Sequence, residues 1–280
     1  MKVVLFCGGR ALRMSSRDNV PKPLAALGPR PLLWHLMKYY AHYGHRDFIL
    51  CLGDQPEKYK EYLLNYDECL SNDFVRSHGG RKVAPLASDI SDWRITFVDT
   101  GPDSNLGERL LAVRRFLQDE EHFLANYADG LTDCPLPHLI RRHVGQRAVA
   151  TMMVAPPAVS FRYAGEDEAG AVSEIREGGA ALWVNAGFFV LRSDIFHHLR
   201  AGEELVEAPF RRLIAAGQLN AVRHRGFWHP VGTPKDLMHL SEMMQNGPAP
   251  WEVWRRAHLP LLPKIGALAA PHTSTQLRTA

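Results

Sequence analysis

The stretch Lys2-Val3-Val4-Leu5-Phe6-Cys7, followed directly by Gly8 and Gly9, decides the fold class of this chain. Its apolar run is continuous, rich in β-branched residues and too short for a buried helix, so it predicts a buried central strand. Glycines directly after such a strand let backbone N–H groups approach a phosphate at the start of the next element. The spacing matches neither dinucleotide-binding nor Walker motifs, so an ordinary tight turn remains the alternative for this segment taken alone.

Short apolar runs alternate with helical patterns outward from this strand, which predicts a mostly parallel sheet with crossover helices. Further strands are predicted at 48–52, 95–99, 123–127, 148–154 and 183–191, and helices at 31–43, 56–65, 108–117 and 135–143. The second half is less regular. It contains a predicted hairpin at 162–174, short helices at 194–200, 209–216 and 234–245, and short strands at 220–223 and 226–231. Asp194 is expected to cap the first of these helices.

Composition narrows the class of protein. The 280 residues carry 33 basic and 30 acidic side chains, a net charge of +3 that does not suggest a nucleic-acid partner. The four cysteines lack the spacing of metal or redox motifs, and no apolar run is long enough for a membrane span or a secretory signal. We therefore expect a cytoplasmic globular protein with no membrane association.

A second motif lies in the loop after the first strand. Val20-Pro21-Lys22-Pro23-Leu24 holds a lysine between two prolines, which restricts the backbone and aims the ammonium group, whereas the alternative is a solvated loop lysine. Together with Gly8-Gly9 and Arg13, this segment resembles the signature of the sugar-1-phosphate nucleotidyltransferases.

Later segments resemble the glucose-1-phosphate cytidylyltransferase branch of that family, in the same order from Lys2 to about Arg256. They are PLLWHLMKYYAHYGHRDFILCLG, SNDFV, SDISDWRITFVDTG, FLANYADGLTD, WVNAGFFVL, the stretch from GEELVEAPF to GFW, and APWEVW. The resemblance implies a nucleotide-binding, Rossmann-like three-layer α/β sandwich with a mixed, mostly parallel sheet. It also implies an enzyme that joins a nucleoside triphosphate to a sugar 1-phosphate with Mg²⁺ and releases pyrophosphate.

The resemblance also implies roles for individual residues. Gly8 and Gly9 match the loop that receives the triphosphate, while Arg13 and Lys22 match the catalytic cations beside the departing pyrophosphate and the α-phosphate. Gly107 matches a glycine under the nucleobase, although an ordinary helix start is the alternative. Asp129 matches a metal-binding aspartate, and an Asp-Gly turn is the alternative there. Asp133 fits the same pattern, but its expected role is to cap the helix that begins at Pro135.

The sugar side of the site is implied less fully. Asn185 matches an asparagine near the sugar, with Trp183 packed beside it. Many relatives place a Glu-Lys pair before this strand, whereas this chain has Arg176 and Glu177 without a lysine, so these two are expected sugar-phosphate contacts.

Three positions depart from the family pattern. Ala11 and Leu12 replace a small residue and a Thr or Met of the triphosphate loop, and Gly232 occupies the place of a second metal-binding aspartate. CTP and glucose 1-phosphate are the favoured substrates, and the alternative is a catalytically weakened homologue that binds nucleotide or sugar phosphate as a regulatory or assembly partner. We expect a homo-oligomer. Residues 1–256 are predicted to form the nucleotidyltransferase domain, with a sugar-binding part at about 150–230, and 257–280 a C-terminal arm.

Overall fold

The computed structural model describes residues 1–9, 20–157, 161–178 and 182–256. Its strands are β1 (Val3–Cys7), β2 (Ala26–Leu27), β3 (Arg30–Pro31), β4 (Asp47–Leu52), β5 (Phe74–Ser77), β6 (Lys82–Pro85), β7 (Arg94–Asp99), β8 (His122–Asn126), β9 (Gly130–Thr132), β10 (Ala150–Ala155), β11 (Phe161–Glu166), β12 (Val172–Gly178), β13 (Val184–Arg192), β14 (Leu219–Arg223) and β15 (Trp228–Pro230). Its α-helices are α1 (Leu32–His42), α2 (Pro56–Leu64), α3 (Leu106–Val113), α4 (Leu136–Gln146), α5 (Ala208–Ala215), α6 (Pro234–Gln245) and α7 (Val253–Arg256).

One central sheet organises these ranges, with the strand order β14-β10-β13-β8-β1-β4-β7. Strand β1 pairs in parallel with both β4 and β8, as its continuous apolar character predicts for a central strand. Strand β13 runs antiparallel to its neighbours β8 and β10, while β14 is parallel to β10. The sheet is therefore mixed and mostly parallel, as predicted.

Helices cover both faces of this sheet. Successive residues of β1 point to opposite faces, so that Leu5 belongs to one core and Phe6 to the other. Leu36 of α1 packs in the first core, and Leu110 of α3 and Phe210 of α5 pack in the second. The three-layer α/β sandwich is confirmed.

Most predicted elements are confirmed within a few residues, and two capping predictions are wrong. Asp194 lies inside a 3₁₀-helix, Ser193–His197, whose N-cap is Arg192, and its carboxylate pairs with the Arg192 guanidinium instead. Asp133 does not cap α4, because the N-cap there is Pro135 without a side-chain hydrogen bond. The hairpin formed by β5 and β6 was not predicted.

The last described residues pack back onto α1. Trp251 is 1% exposed, and its indole N–H donates to Nδ1 of His35 over 3.4 Å. The other ring nitrogen of His35 donates to the carbonyl of Leu27 at 2.9 Å. The Trp254 ring meets the Trp34 ring edge-on at 5.9 Å between centroids. We call these four aromatic residues of α1 and the α7 region the aromatic clamp.

The described ranges contain no helix with both the length and the apolar character that a bilayer crossing requires. The predicted arm at 257–280 lies outside the described residues, and the predicted domain boundaries stay predictions.

Candidate active site

One edge of the central sheet collects the candidate residues. The carboxyl ends of β1, β4, β7 and β8 meet there, and the antiparallel β13 begins at the same edge. In open α/β sheets, ligands bind in the crevice outside the carboxyl ends of the strands. Gly8, Gly53, Thr100 and Tyr127 are the residues that directly follow these four strands.

A lysine and an aspartate predicted separately from the sequence meet at this edge. Lys22 begins a 3₁₀-turn, Lys22–Leu24, with Pro21 as its N-cap. Its Nζ lies 2.9 Å from Oδ2 of Asp129. The two side chains are 26% and 32% exposed, so each is held by the other while remaining accessible to a substrate.

The turn that carries Asp129 has an unusual backbone. Ala128 has a φ of +61°, in the left-handed region that a residue with a Cβ seldom occupies. Its N–H donates to Oδ1 of the buried Asn126 at 2.7 Å, which helps hold this conformation. The carbonyl of Asp129 accepts from the N–H of Val231 at 2.6 Å, so the turn is also tied to the end of β15. Strain of this kind is tolerated where surrounding structure fixes a functional residue.

That backbone contact places Gly232, the residue after Val231, next to the Asp129 turn. Gly232 offers no side chain there, and the nearby carboxylate of Asp236 is engaged elsewhere, accepting from the N–H groups of Gly232 at 2.9 Å and Thr233 at 2.7 Å. Burial raises the pKa of Asp236, but these hydrogen bonds outweigh it and hold the pKa below its usual value. In the described parts of the chain, no three His, Cys, Asp or Glu side chains converge as a metal site. At the contact between the Asp129 turn and Gly232, the carboxylate available to bind a metal ion is therefore that of Asp129.

A buried arginine, which sequence reasoning missed, packs under the glycine loop. Arg109 of α3 is 1% exposed and donates to the Thr100 hydroxyl at 2.6 Å and the Leu52 carbonyl at 3.3 Å. A Cβ added to Gly8 would lie 1.9 Å from its guanidinium, and one added to Gly53 would lie 2.8 Å away. Both glycines therefore make room for this side chain. Burial lowers the pKa of Arg109.

The signal that could have identified Arg109 is its place in the helix pattern. It occupies an apolar-face position between Leu106 and Leu110, where a buried charge is unusual. Gly9 has a φ of +155°, a conformation open to glycine, so the loop after β1 needs glycine for backbone reasons as well.

Gly107 lies in the first turn of α3, against another part of the chain. A Cβ there would lie 2.2 Å from the carbonyl oxygen of Glu203, so close packing accounts for glycine at this position. Its predicted place under a nucleobase stays a prediction.

The sugar-side candidates lie at the start of β13. The amide of Asn185 donates to the Tyr127 hydroxyl at 2.8 Å and accepts from the N–H of Gly187 at 2.9 Å, which fixes its orientation. Trp183 is half-buried, and the guanidinium groups of Arg223 and Arg225 lie 5.1 and 5.0 Å from its ring centroid. This arginine contact was not predicted.

Two other predicted residues are described only in part, and a third not at all. Arg176 and Glu177 lie on β12, paired with Tyr163 and Arg162 of β11, but their side chains are outside the described atoms. Arg13 lies outside the described residues altogether, as do Ala11 and Leu12.

Asp133, which directly follows β9, binds the segment between β14 and β15. Its Oδ1 lies 2.8 Å from Nε2 of His224 and accepts from the N–H of Phe227 at 2.8 Å. Burial lowers the pKa of His224, but the hydrogen bonds and charge of Asp133 and Cys134 outweigh burial and raise it to about 10. The imidazolium and carboxylate thus hold the segment before β15 against β9.

Residues 2–247 match the family described as "Nucleotidyl transferase". The chain belongs to this family. It is 37% identical over 257 residues to the Bacillus subtilis (strain 168) protein named "Probable glucose-1-phosphate cytidylyltransferase", covering 91% of this chain and 100% of that protein. The glucose-1-phosphate cytidylyltransferase of Salmonella typhi is 34% identical over 258 residues, with the same two coverages. The chain is thus of the cytidylyltransferase-like branch, as predicted.

A solved structure agrees at the level of the fold. HddC from Yersinia pseudotuberculosis superposes with a TM-score of 0.60 at 14% identity, covering 87% of this chain and 99% of that chain.

Proposed function

We propose that this protein transfers the cytidylyl group of CTP to glucose 1-phosphate and releases pyrophosphate. The observation that carries the proposal is the 34–37% identity to glucose-1-phosphate cytidylyltransferases over their whole length. The pairing of Lys22 with Asp129 at the ligand-binding edge of the sheet supports it, because the resemblance assigns Lys22 to the α-phosphate and Asp129 to the metal, which must lie side by side.

The proposed reaction is an in-line displacement at phosphorus. An oxygen of the sugar phosphate forms a bond to the α-phosphorus, the bond from that phosphorus to the bridging oxygen breaks, and pyrophosphate leaves with the electron pair. The attacking oxygen is already anionic, so no general base is required. What the protein must supply is fixed positive charge for the equatorial and leaving oxygens. Lys22 is proposed to act at the α-phosphate and Arg13 at the departing pyrophosphate.

The donor set of the site fits a magnesium ion that brings its own phosphate and water oxygens, since Mg²⁺ commonly uses one or two carboxylates. The Asp129 side chain is 32% exposed, which supports a role in holding an ion that arrives with the triphosphate. Asp129 would hold the ion, whose chemistry when bound is to neutralise phosphate charge. With glycine at 232, the protein contributes less charge to that ion than a two-aspartate site would.

Two remaining inferences concern the rest of the site. We propose that Gly8, Gly9 and Gly107 line the nucleotide pocket, where Arg109 supplies a buried positive charge next to Gly8. We propose that Asn185 and Trp183 border the sugar, together with Arg176 and Glu177. The cytoplasmic location predicted from the sequence stays a prediction.

Pyrophosphate release over a panel of the four ribonucleoside triphosphates, dTTP and several hexose 1-phosphates tests the proposed function. We expect the highest kcat/KM with CTP and glucose 1-phosphate. Preference for ATP or GTP would contradict the assignment. Nucleotide binding without turnover for any pair would instead point to the regulatory homologue.

We also infer that the protein self-associates through the hairpin of β5 and β6. Both faces of this two-stranded ribbon are open, with Val75, Val83 and Leu86 49%, 53% and 70% exposed. An isolated two-stranded ribbon is marginally stable, so apolar exposure on it favours a partner surface. Charge supports a second copy as that partner, because this surface carries basic residues near the turn and acidic residues before the hairpin, and a contact between two copies can pair opposite charges. These residues are Arg76, Arg81 and Lys82, and Asp67, Glu68 and Asp73.

A further inference from the structure

Arg223 and Arg225 form an arginine pair on Trp183, at the sheet edge described above. Their guanidinium carbons lie 5.1 and 5.0 Å from the centroid of the same indole ring. Both arginines are exposed, and neither forms an ion pair with any carboxylate of the described residues. The protein thus holds two positive charges on one ring without neutralising either.

The sheet register places this pair on the sugar side of the site. Val154 of β10 is paired with Asn185 of β13 on one side and with Arg223 of β14 on the other. Residues paired across neighbouring strands share a face of the sheet, and strands two apart are separated by about 10 Å. Asn185 and Arg223 therefore lie in one row across the sheet, about the length of a hexose phosphate apart.

The strand directions fix which edge this row belongs to. Strand β14 is parallel to β10 and ends at Arg223, so its carboxyl end lies at the edge where β8 ends and Asp129 follows. The N–H of His224 donates to the carbonyl of Val154 at 2.9 Å, which continues the pairing to the end of the strand. The salt bridge of His224 with Asp133 then fixes the backbone between the two arginines.

The geometry points to the arginine pair as an anchor for the phosphate of the sugar 1-phosphate. Stacking on Trp183 restrains each guanidinium while leaving its N–H groups in solvent, and planar guanidinium groups bind phosphate oxygens in bidentate fashion. Both guanidinium carbons lie within 5.1 Å of one ring centroid. The two cations repel one another, and a doubly charged phosphate relieves that repulsion. This inference rests on the proposed function for the identity of the sugar phosphate, but the site itself is assigned from the arginines, the tryptophan and the register.

The test removes the positive charges of Arg223 and Arg225 while keeping side chains of similar size. In the variant Arg223→Met/Arg225→Met the apolar stems still pack on Trp183, whereas Arg223→Lys/Arg225→Lys keeps the charge without the planar group. Arg211→Met, on the exposed side of α5, is the matched control. Initial rates of pyrophosphate release are measured against glucose 1-phosphate at saturating CTP, and against CTP at saturating glucose 1-phosphate.

We expect the double Met variant to raise the KM for glucose 1-phosphate about 10- to 100-fold, as for the loss of hydrogen bonds to a charged group. The KM for CTP should stay within about twofold, the Lys variant should recover part of the loss, and Arg211→Met should match wild type. An unchanged KM for glucose 1-phosphate would overturn the inference, as would a loss that appears in the KM for CTP.

Direct titration separates this inference from the proposed function. Glucose 1-phosphate and unphosphorylated glucose are titrated calorimetrically into wild type and the double Met variant. If wild type shows no turnover, the proposed function fails, yet weaker glucose 1-phosphate binding by the variant still supports the anchor. Equal binding by both proteins, or no binding by wild type, overturns it.

Discussion

Lys22 and Asp129 belong to two separate sequence motifs, and the fold brings their side chains together in one site. Each has an ordinary alternative in the sequence, a solvated lysine and an Asp-Gly turn. Their side chains are nevertheless 2.9 Å apart although 107 residues separate them. Their chemistry was predictable from motif spacing, but the direct contact was not, because it depends on where the fold brings the Lys22–Leu24 turn relative to the end of β8.

The first prediction concerns Lys22. Lys22→Met should lower kcat about 100- to 1000-fold, because a fixed cation beside the α-phosphate stabilises charge that develops in the transition state. The melting temperature should change little, since the ion pair it removes is partly exposed and weak. Steady-state kinetics and thermal unfolding of this variant are compared with Lys60→Met on α2. Turnover equal to that of wild type would show that Lys22 is an ordinary loop residue without a catalytic role.

The second prediction concerns Gly232. Its φ lies outside the left-handed region, and an added Cβ would meet only Asp236 Oδ2 at 3.6 Å, so a side chain is tolerated. Gly232→Asp should therefore lower the Mg²⁺ concentration for half-maximal turnover, because a second carboxylate adds charge beside Asp129. Gly232→Asn, with the same shape and no charge, is the control.

Isothermal titration with Mg²⁺ alone supplies a second readout for Gly232. Wild type is expected to bind Mg²⁺ measurably only with CTP, and Gly232→Asp to bind it more tightly. Tight binding of Mg²⁺ by the free wild-type protein would show that other ligands complete the site.

At the scale of elements, buried strands were the most predictable part of the chain. Strands β1, β4 and β8 lie between two layers of helices, so both of their faces are apolar and their sequences are continuous apolar runs. The β5–β6 hairpin escaped prediction for the opposite reason, because an element that contacts no core leaves no hydrophobic pattern. The arginine pair on Trp183 escaped because it depends on the register of β10, β13 and β14, which no local pattern encodes.

The third prediction concerns the contact of α1 with the α7 region. Burial lowers the pKa of His35 to about 4, even though its hydrogen bond to the Leu27 carbonyl acts in the other direction. In the unfolded chain the imidazole takes up a proton near pH 6.5, while the folded protein resists it. Its contribution to stability is therefore complete above pH 6.5 and is lost as the pH falls toward 4.

This one group should reduce the free energy of unfolding by about 2 kcal/mol between pH 7.5 and pH 5. Urea unfolding at both pH values measures the difference in wild type and in His35→Gln, which does not titrate. The buried His143 shifts in the same direction and is common to both proteins, so the wild-type loss should exceed that of His35→Gln. Equal losses would contradict the assignment.

At the scale of the whole molecule, the fourth prediction concerns self-association through the exposed β5–β6 hairpin. Val75→Glu/Val83→Glu places like charges on both faces of the β5–β6 ribbon and should dissociate the proposed homo-oligomer to monomers with little loss of folded structure. Light scattering after size-exclusion chromatography, with circular dichroism, measures both outcomes. Leu64→Glu, an exposed apolar residue at the end of α2, is the control. A wild-type protein that is already monomeric at micromolar concentration would refute the inference.

The aromatic clamp has a consequence for folding during synthesis on the ribosome. His35 and Trp251 are 216 residues apart, so the nascent α1 emerges long before the tryptophan that covers its histidine. At roughly 5–20 residues per second this interval lasts about 10 to 40 s. During that time the face of α1 that Trp251 covers in the folded protein is open to solvent and to chaperones. Synthesis that stalls before Trp251 should thus yield chains that are bound by chaperones or degraded, even though every strand of the central sheet has already been made.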